Sequence, residues 1–163
     1  MNIRASEIKD LNSLMGIYER ARRFMQEQGN SNQWINGYPS EGLIRQEISN
    51  DHSFVCENEN GEIVGTFCYI IGDDPTYTRI DNGEWLNDDP YGTIHRLASS
   101  GKEKGVSDKC IQWCLTQCKN IRADTHHDNT IMQSILKKHG FEQCGIIYLS
   151  NGRPRIAYHK CDQ

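Results

Sequence analysis

The order of its secondary-structure elements limits what this 163-residue chain can fold into more than any other feature. Apolar residues at helical spacing over 11–25 predict a long amphipathic helix, with Ser6 as its N-cap and Gly29 at its end. Ser40 introduces a second helix. Because only residues 2–5 are strand-like before these helices, nearly all strands must follow both of them.

The rest of the chain alternates strands with two further helices. An Asn60-Gly61 turn predicts a hairpin. Predicted strands cover 54–57, 62–71, 91–99, 121–124, 141–149 and 153–159, and predicted helices cover 103–118 and 129–138. The order β-α-α-β-β-β-α-β-α-β-β predicts a mixed-sheet α/β (α+β) fold in a single domain over 1–163.

Composition excludes several classes of function. The chain has 18 basic and 22 acidic residues, a net charge of −4, which argues against binding to nucleic acid. No apolar run approaches the roughly 20 residues that cross a bilayer, and the first 20 residues lack a secretory apolar region. We therefore expect a cytoplasmic protein without a nucleic-acid or membrane partner, whose seven cysteines are mostly small core residues.

The segment that says most about chemistry runs over 94–107 as a strand, a glycine-bearing loop and a helix start. Gly101 and Gly105 let backbone amides approach a ligand, and the free amides of a first helical turn favour phosphate. Lys102 and Lys104 add positive charge. An ordinary turn with solvated lysines is the alternative. The patterns GxxxxGK[ST] and GxGxxG are absent, which disfavours nucleotide kinases and dinucleotide dehydrogenases.

Residues 102–107, Lys-Glu-Lys-Gly-Val-Ser, resemble the signature Gln/Arg-x-x-Gly-x-Gly/Ala of the GNAT superfamily of N-acetyltransferases. A helix led by Asn129 and followed by Gly140-Phe141 resembles a second element of that family, and the element order matches over nearly the whole chain. Asn-Gln-Trp at 32–34 with Tyr-Pro-Ser at 38–40 is similar to a bacterial subgroup whose substrates are poorly defined.

The resemblance implies a GNAT-like acyl-CoA N-acyltransferase fold, with a mostly antiparallel sheet whose one parallel pair, 91–99 and 121–124, splays into a slot. It also implies acetyl-CoA as co-substrate, no metal, and direct transfer to a primary amine of a small molecule or peptide. The residues implied to bind acetyl-CoA are Leu97, Ala98, Ser99, Lys102, Lys104, Gly105, Val106, Ser107 and Asn129. A tyrosine that often follows seven residues after the Asn is replaced by Leu136.

Attack by an amine requires that the amine lose a proton, because its ordinary pKa is near 10.4. His95 in the strand and Glu84 just before it are candidate bases. The alternative for His95 is a packed histidine, and the alternative for Glu84 is a solvated loop carboxylate. Trp34, Trp85 and Tyr91 are candidate residues of an acceptor pocket, although Trp34 also fits a packing role.

Two further segments have alternative interpretations. His126-His127-Asp128 resembles a zinc-ligand set, but we expect neighbouring residues at a strand end to point in opposite directions, and no third ligand is evident. Residues 73–90 carry six acids against Arg79, a net charge of −5. If this acidic insertion overhangs the slot, it favours a cationic amine; otherwise it is a solvated loop.

Two other functions fit the same residues. Leu136, together with Ser107 at the Gly/Ala position, is compatible with a non-catalytic acyl-CoA sensor or interaction module. A scaffold for another phosphorylated ligand is the second alternative. Both a monomer and a homodimer paired through terminal strands are compatible with the sequence.

Overall fold

A computed structural model describes residues 1–161 and contains a seven-stranded mixed sheet in the order β1-β2-β3-β4-β5-β7-β6. The strands are β1 (Asn2–Ala5), β2 (Ser53–Glu57), β3 (Ile63–Ile71), β4 (Gly92–Ser99), β5 (Asn120–Thr125), β6 (Glu142–Tyr148) and β7 (Pro154–Cys161). The helices are α1 (Leu11–Glu27), α2 (Glu41–Ser49), α3 (Val106–Gln117) and α4 (Thr130–Lys138). The α/β class and the element order predicted from the sequence are confirmed.

Two helices begin later than the sequence pattern predicts. A 3₁₀ turn, Ile8–Asp10, precedes α1, and Ser6 does not cap the helix because its hydroxyl lies 2.8 Å from that of Ser53. Helix α3 begins after Gly105, whose φ of +80° is incompatible with a helical residue. Local geometry at each start therefore overrides the apolar periodicity.

Other predicted helix starts are correct. The Ser40 hydroxyl accepts a hydrogen bond of 3.1 Å from the Leu43 amide at the start of α2. The side chain of Asn129 accepts one of 3.0 Å from the Met132 amide at the start of α4. Both are N-cap bonds that satisfy an amide without a helical partner.

Helices cover both faces of the sheet because successive residues of a strand point to opposite sides. Val55 of β2 packs with α1 and α2, whereas its neighbour Cys56 packs with α3. Cys110 and Cys114 of α3 are buried free thiols in the same apolar cluster as Cys56. Residues 73–90 pack against β6 and β7, where Tyr77 is fully buried.

The centre of the sheet is its least regular part. Strands β4 and β5 form its parallel pair, and within residues 1–161 they pair at two positions only, Gly92 with Ile121 and Thr93 with Arg122. Farther along, the two strands diverge. A bulge in β4 places Arg96, at φ +52°, and Leu97 opposite the single residue Phe67.

Among residues 1–161, no helix has both the length and the apolar character needed to cross a membrane.

Candidate active site

A groove of about 260 Å³ runs between α1, β4 and α4 on one side of the splayed strands. Its walls combine apolar side chains from α1 and α4 with the end of β4. Five residues implied by the sequence resemblance to bind acetyl-CoA line it: Leu97, Ala98, Ser99, Ser107 and Asn129. Because β5 no longer pairs with β4 here, one backbone edge of 97–99 is available to a ligand.

The start of α3 has the backbone conformation of an anion site. Gly101 and Gly105 have φ of +76° and +80°, values that favour glycine. The first helical hydrogen bond of α3 joins the Lys109 amide to the Gly105 carbonyl at 3.0 Å. The amides of 106–108 therefore have no helical partner. Val106 itself is buried against Gly65, where a β-carbon would overlap its side chain.

Positive charge reaches the groove from α1. Arg20 lines the groove and donates a hydrogen bond of 3.2 Å to the Ser99 carbonyl. Lys102 instead forms an exposed ion pair of 3.0 Å with Glu62, and Lys104 is exposed on the loop. Arg20 was not among the predicted residues, because helical periodicity assigns it only to the solvent side of α1.

The side chain of Asn129 is engaged within the protein. Its oxygen caps α4, and its nitrogen donates a hydrogen bond of 2.9 Å to the side chain of Gln33. Gln33 precedes Trp34 in the loop between α1 and α2, so Asn129 joins this loop to the start of α4. A narrow gap of about 50 Å³ beside these residues is lined on one side by Leu136 and on the other by Trp34.

A second cavity of about 560 Å³ lies on the opposite side of the gap. It is lined by His95 and residues from the 33–38 loop, the start of 73–90 and the turn before β7. The imidazole Nε2 of His95 lies 3.1 Å from a carboxylate oxygen of Asp74. Burial acts to raise the pKa of Asp74, but hydrogen bonds from His95 and Thr76 outweigh it and lower the pKa to about 2. An ionised carboxylate therefore orients the imidazole.

A second carboxylate lines the same cavity. Tyr77 donates a hydrogen bond of 2.7 Å to Asp124. Burial raises the pKa of Asp124, while the nearby His95 and the hydrogen bond from Tyr77 oppose that shift. Burial and the carboxylate of Asp124 also hold the pKa of Tyr77 well above its ordinary value. Two carboxylates, one phenol and one imidazole thus lie together.

Three arginines line the other parts of this cavity. Arg96 forms an ion pair of 3.1 Å with Glu47 and donates a hydrogen bond of 2.9 Å to the Tyr38 hydroxyl. Arg155 is buried, and burial lowers its pKa. Arg153 is exposed at the rim.

Comparison with known proteins identifies the family. No protein-family model matches the sequence, and no curated protein matches it. The crystal structure of a GNAT family acetyltransferase from Streptococcus agalactiae 2603 is similar, with a TM-score of 0.90 and 30% identity, covering 99% of this chain and 95% of that chain. The chain belongs to the GNAT family of acetyltransferases.

More distant structures share the fold. An acetyltransferase of the GNAT family from Listeria monocytogenes 4b F2365 has a TM-score of 0.72 at 21% identity, covering 98% of this chain and 93% of that chain. A ribosomal-protein-alanine N-acetyltransferase from Brucella melitensis has a TM-score of 0.67 at 18% identity, covering 99% and 100%. The GNAT-like fold predicted from the sequence is therefore confirmed.

Within this GNAT fold, the structure brings one of the two candidate bases to the second cavity. His95 lines it. Glu84 is exposed beside Gly83, which packs against the backbone of Cys144 in β6, and it is not among the residues that line the two cavities. Packing of 73–90 on β6 and β7 carries Glu84 away from the slot.

The predicted acceptor aromatics separate in the same way. Trp34 lines the gap and the second cavity. Trp85 and Tyr91 do not line that cavity; their ring centroids lie 4.2 and 4.0 Å from the guanidinium carbon of Arg122. The two rings pack on the buried guanidinium of Arg122 instead of lining the cavity.

The acidic insertion does not overhang the slot as a whole. Of the six acids in 73–90, a segment described throughout, Asp74 alone lines the cavity. Asp81 pairs with Arg79 at 2.8 Å, and Asp73, Glu84, Asp88 and Asp89 are exposed. Negative charge in the second cavity thus comes from Asp74 and Asp124.

The structure overturns our argument against a cluster at His126, His127 and Asp128. Their ligand atoms all lie within 4.8 Å of one another, and the two imidazoles stack with centroids 4.2 Å apart. The prediction that they point in opposite directions is wrong because the chain turns at the end of β5. Nδ1 of His126 already accepts a hydrogen bond of 3.0 Å from the Asp128 amide.

Proposed function

We propose that this GNAT protein transfers the acetyl group of acetyl-CoA directly to a primary amine of a small molecule or peptide. The observation that carries the proposal is the divergence of β4 from β5 after two paired positions. It gives a groove on one side and a cavity on the other, joined by a gap that shares lining residues with both. A thioester and an amine that enter from opposite sides would meet there.

The groove fits acetyl-CoA by its chemistry. The pantetheine arm carries amides that would pair with the free backbone edge of 97–99 as an added strand does. The amides of 106–108 and the guanidinium of Arg20 would receive the pyrophosphate. Gly105 keeps the loop open to these amides because its positive φ turns the backbone at the helix start.

His95 is the base that we assign, with Asp74 as the residue that positions it. His95 accepts one proton from the protonated amine, and the neutral nitrogen then attacks the thioester carbonyl carbon. The nitrogen loses its second proton to solvent before the carbon–sulfur bond breaks. A β-bulge leaves a backbone amide without a hydrogen-bond partner on the adjacent strand. The N–H of the peptide bond between Arg96 and Leu97 is therefore our candidate donor to the oxyanion. The carbon–sulfur bond then breaks, giving the N-acetyl product and the thiolate of CoA.

The leaving thiolate takes a proton from solvent in this scheme. A thiol with an ordinary pKa of about 8.5 leaves without a strong acid. This is compatible with Leu136 in the gap, where an apolar side chain replaces the tyrosine expected from the family resemblance.

The test is release of free thiol from acetyl-CoA in the presence of a panel of amines. We expect release with at least one amine and none with acetyl-CoA alone. His95→Gln should lower kcat by about 10²- to 10⁴-fold while acetyl-CoA affinity measured by calorimetry stays within about twofold. Glu84→Gln, outside both cavities, should retain kcat. Full turnover by His95→Gln would remove His95 from the mechanism.

A non-catalytic acyl-CoA sensor is the second candidate, and Leu136 is the observation that favours it. Tight acetyl-CoA binding without thiol release on any amine would support the sensor. We also propose a cytoplasmic location, which the seven free cysteines support because oxidising compartments favour disulfides.

A further inference from the structure

We propose that the acceptor amine carries a carboxylate, so that the substrates of this protein are free amino acids or similar small amino-carboxylates. The inference rests on the proposed acetyl transfer, because it assigns the occupant of the second cavity, which His95 and Asp124 line. We call it the acceptor-side cavity, since the proposed amine would bind there. Its basis is the presence of both charges in that cavity, with Arg155 and Arg153 at the start of β7, Asp124 on the adjacent strand β5, and His95 on β4.

Arg155 is the main observation. Its surface is only 5% exposed, yet it lines the cavity. Two of its nitrogens donate to backbone carbonyls, at 2.9 Å to Pro154 and at 3.3 Å to Gln33. Among residues 1–161, no carboxylate oxygen lies within 4.0 Å of its guanidinium. The charge of Asp124 acts on Arg155 without direct contact, and the Asp124 carboxylate already accepts a hydrogen bond from Tyr77. A buried cation without a direct ion pair is costly, and a ligand carboxylate would supply that pair.

Arg153 strengthens this assignment. It stands two residues before Arg155, the spacing that places side chains on one side of an extended chain. Its side chain is exposed at the rim of the same cavity and forms no ion pair within the described part of the chain. A guanidinium group binds a carboxylate through paired, charge-assisted hydrogen bonds. One or both arginines would therefore bind a ligand that has a carboxylate more tightly than a neutral ligand.

The neighbouring strands β4 and β5 carry groups that suit an amine. Asp124 lies on β5 and His95 on β4, so both are at the strands that flank the gap through which the thioester would be reached. An ammonium drawn to Asp124 would sit beside the proposed base. A polyamine is disfavoured, because it would place further cations against Arg155 and Arg153, and because five of the six acids in 73–90 lie elsewhere.

The experiment compares amino acids with their own carboxamides in the thiol-release assay. The two members of each pair share side chain and amine and differ in the carboxylate alone. We expect kcat/KM to favour the acid by at least about 10-fold, the range given by a charge-assisted hydrogen bond. Arg155→Gln should reduce the preference to within about twofold, mainly through KM for the acid.

Two variants guard against loss of folding or a general effect. Arg153→Gln changes an exposed side chain and should reduce the preference without altering the melting temperature. Arg79→Gln removes an exposed arginine that pairs with Asp81 outside the cavity, and it should keep the full preference. A preference that persists in both Arg155→Gln and Arg153→Gln would overturn the assignment.

Failure of the inference and failure of the enzyme proposal give different results. If carboxamides are acetylated as well as the acids, the inference is wrong and acetyl transfer stands. If no amine releases thiol although acetyl-CoA binds, acetyl transfer is wrong. Calorimetry of the same pairs with CoA present then tests the inference alone, and equal affinity for acid and carboxamide would contradict it.

Discussion

At Gly105 a single residue sets the backbone conformation at the start of α3, where we propose that the pyrophosphate binds. Its φ of +80° costs any other residue about 1–2 kcal/mol, although the nearest atom to a β-carbon there, in Met1, is 3.9 Å away. Gly105→Ala therefore introduces backbone strain rather than a clash. We expect it to weaken acetyl-CoA binding at least about 10-fold in calorimetry, because relief of the strain moves the free amides.

The matched control is Gly61→Ala in the turn between β2 and β3. Its φ is +76°, and a β-carbon there would come no closer than 4.0 Å to another atom. Both variants should lose similar stability, yet only Gly105→Ala should lose acetyl-CoA affinity. Equal affinity in the two variants would show that the loop conformation does not matter for binding.

Asp74 gives a second prediction at this scale. Since its pKa is about 2, its carboxylate is ionised throughout the working range and holds the His95 imidazole. Asp74→Asn keeps the shape and removes the charge. We expect kcat to fall about 10- to 100-fold with KM for acetyl-CoA unchanged, whereas Asp73→Asn, exposed next to it, should retain kcat. Unchanged kcat in Asp74→Asn would mean that His95 needs no partner.

Individual residues also mark the limit of sequence prediction. Ser107 and Asn129 were predicted because they stand in short motifs that resemble those of the family, and both line the groove. Asp124 and Arg155, which line the second cavity, were not predicted because their proximity depends on strand pairing between β5 and β7, which no local pattern encodes. The alternation of side chains along β5 does not indicate which face of the strand would contact a ligand.

Among the elements, the segment 73–90 differs most from its sequence interpretation. The acidic residues of this segment indicated a solvated or overhanging loop. Instead, Tyr77 and Trp85, together with Tyr91 just after the segment, pack it against β5, β6 and β7. Helices, by contrast, were predicted correctly in number and order, and errors at their starts came from the positive φ of Gly105 and the 3₁₀ turn before Leu11. The apolar periodicity of a sequence therefore predicts the presence of a helix more accurately than the residues at which the helix begins and ends.

Trp85 is the residue through which this element can be tested. Its indole donates a hydrogen bond of 2.9 Å to the Tyr77 carbonyl and stacks on Arg122 at 4.2 Å. Trp85→Ala should lower the free energy of unfolding by about 2–4 kcal/mol in urea titration, through lost burial and an exposed cation. Leu86→Ala, at a side chain that is 40% exposed, should change it by less than about 0.5 kcal/mol.

Acetyl-CoA affinity separates this structural role from a role in the site. The two cavities are not lined by Trp85, so the folded Trp85→Ala protein should bind acetyl-CoA as the unmodified chain does. A large loss of affinity without a loss of stability would mean that 73–90 shapes the slot directly.

For the whole molecule, the sheet behaves as two parts that meet at two residue pairs between β4 and β5. The family resemblance predicted this splay. The parallel pair itself requires a crossover, which α3 provides. The acceptor-side cavity could not be predicted in the same way. It combines the 33–38 loop, the start of 73–90 and β7, which are distant in sequence.

The C-terminal part also makes the stability of the whole fold depend on pH. His159 is fully buried; its Nδ1 accepts a hydrogen bond of 3.1 Å from the Leu86 amide, and its Nε2 donates one of 2.6 Å to Asn120. Burial, and then the charge of Arg122, lower its pKa to about 4. The folded protein therefore holds this imidazole neutral where an unfolded chain would protonate it.

The sign follows from the two pKa values, about 4 when folded and about 6.5 when unfolded. Between them the unfolded state binds more protons, so stability is full above 6.5 and falls as pH decreases toward 4. From pH 7 to pH 4.5 the loss is about 2–3 kcal/mol. His126, whose pKa burial also lowers, acts in the same direction. The lowered pKa of Asp74, about 2, matters only below this window.

Urea titrations at pH 7 and pH 4.5 test this dependence, with His159→Gln as the comparison. Glutamine keeps one donor for Asn120 and one acceptor for the Leu86 amide, but it does not titrate. We expect the variant to be less stable at pH 7 and to lose at least about 1 kcal/mol less than the unmodified chain on acidification. His126→Gln, at the end of β5, measures the remaining histidine contribution. An identical loss in the unmodified chain and in His159→Gln would mean that acid destabilisation arises elsewhere in the fold.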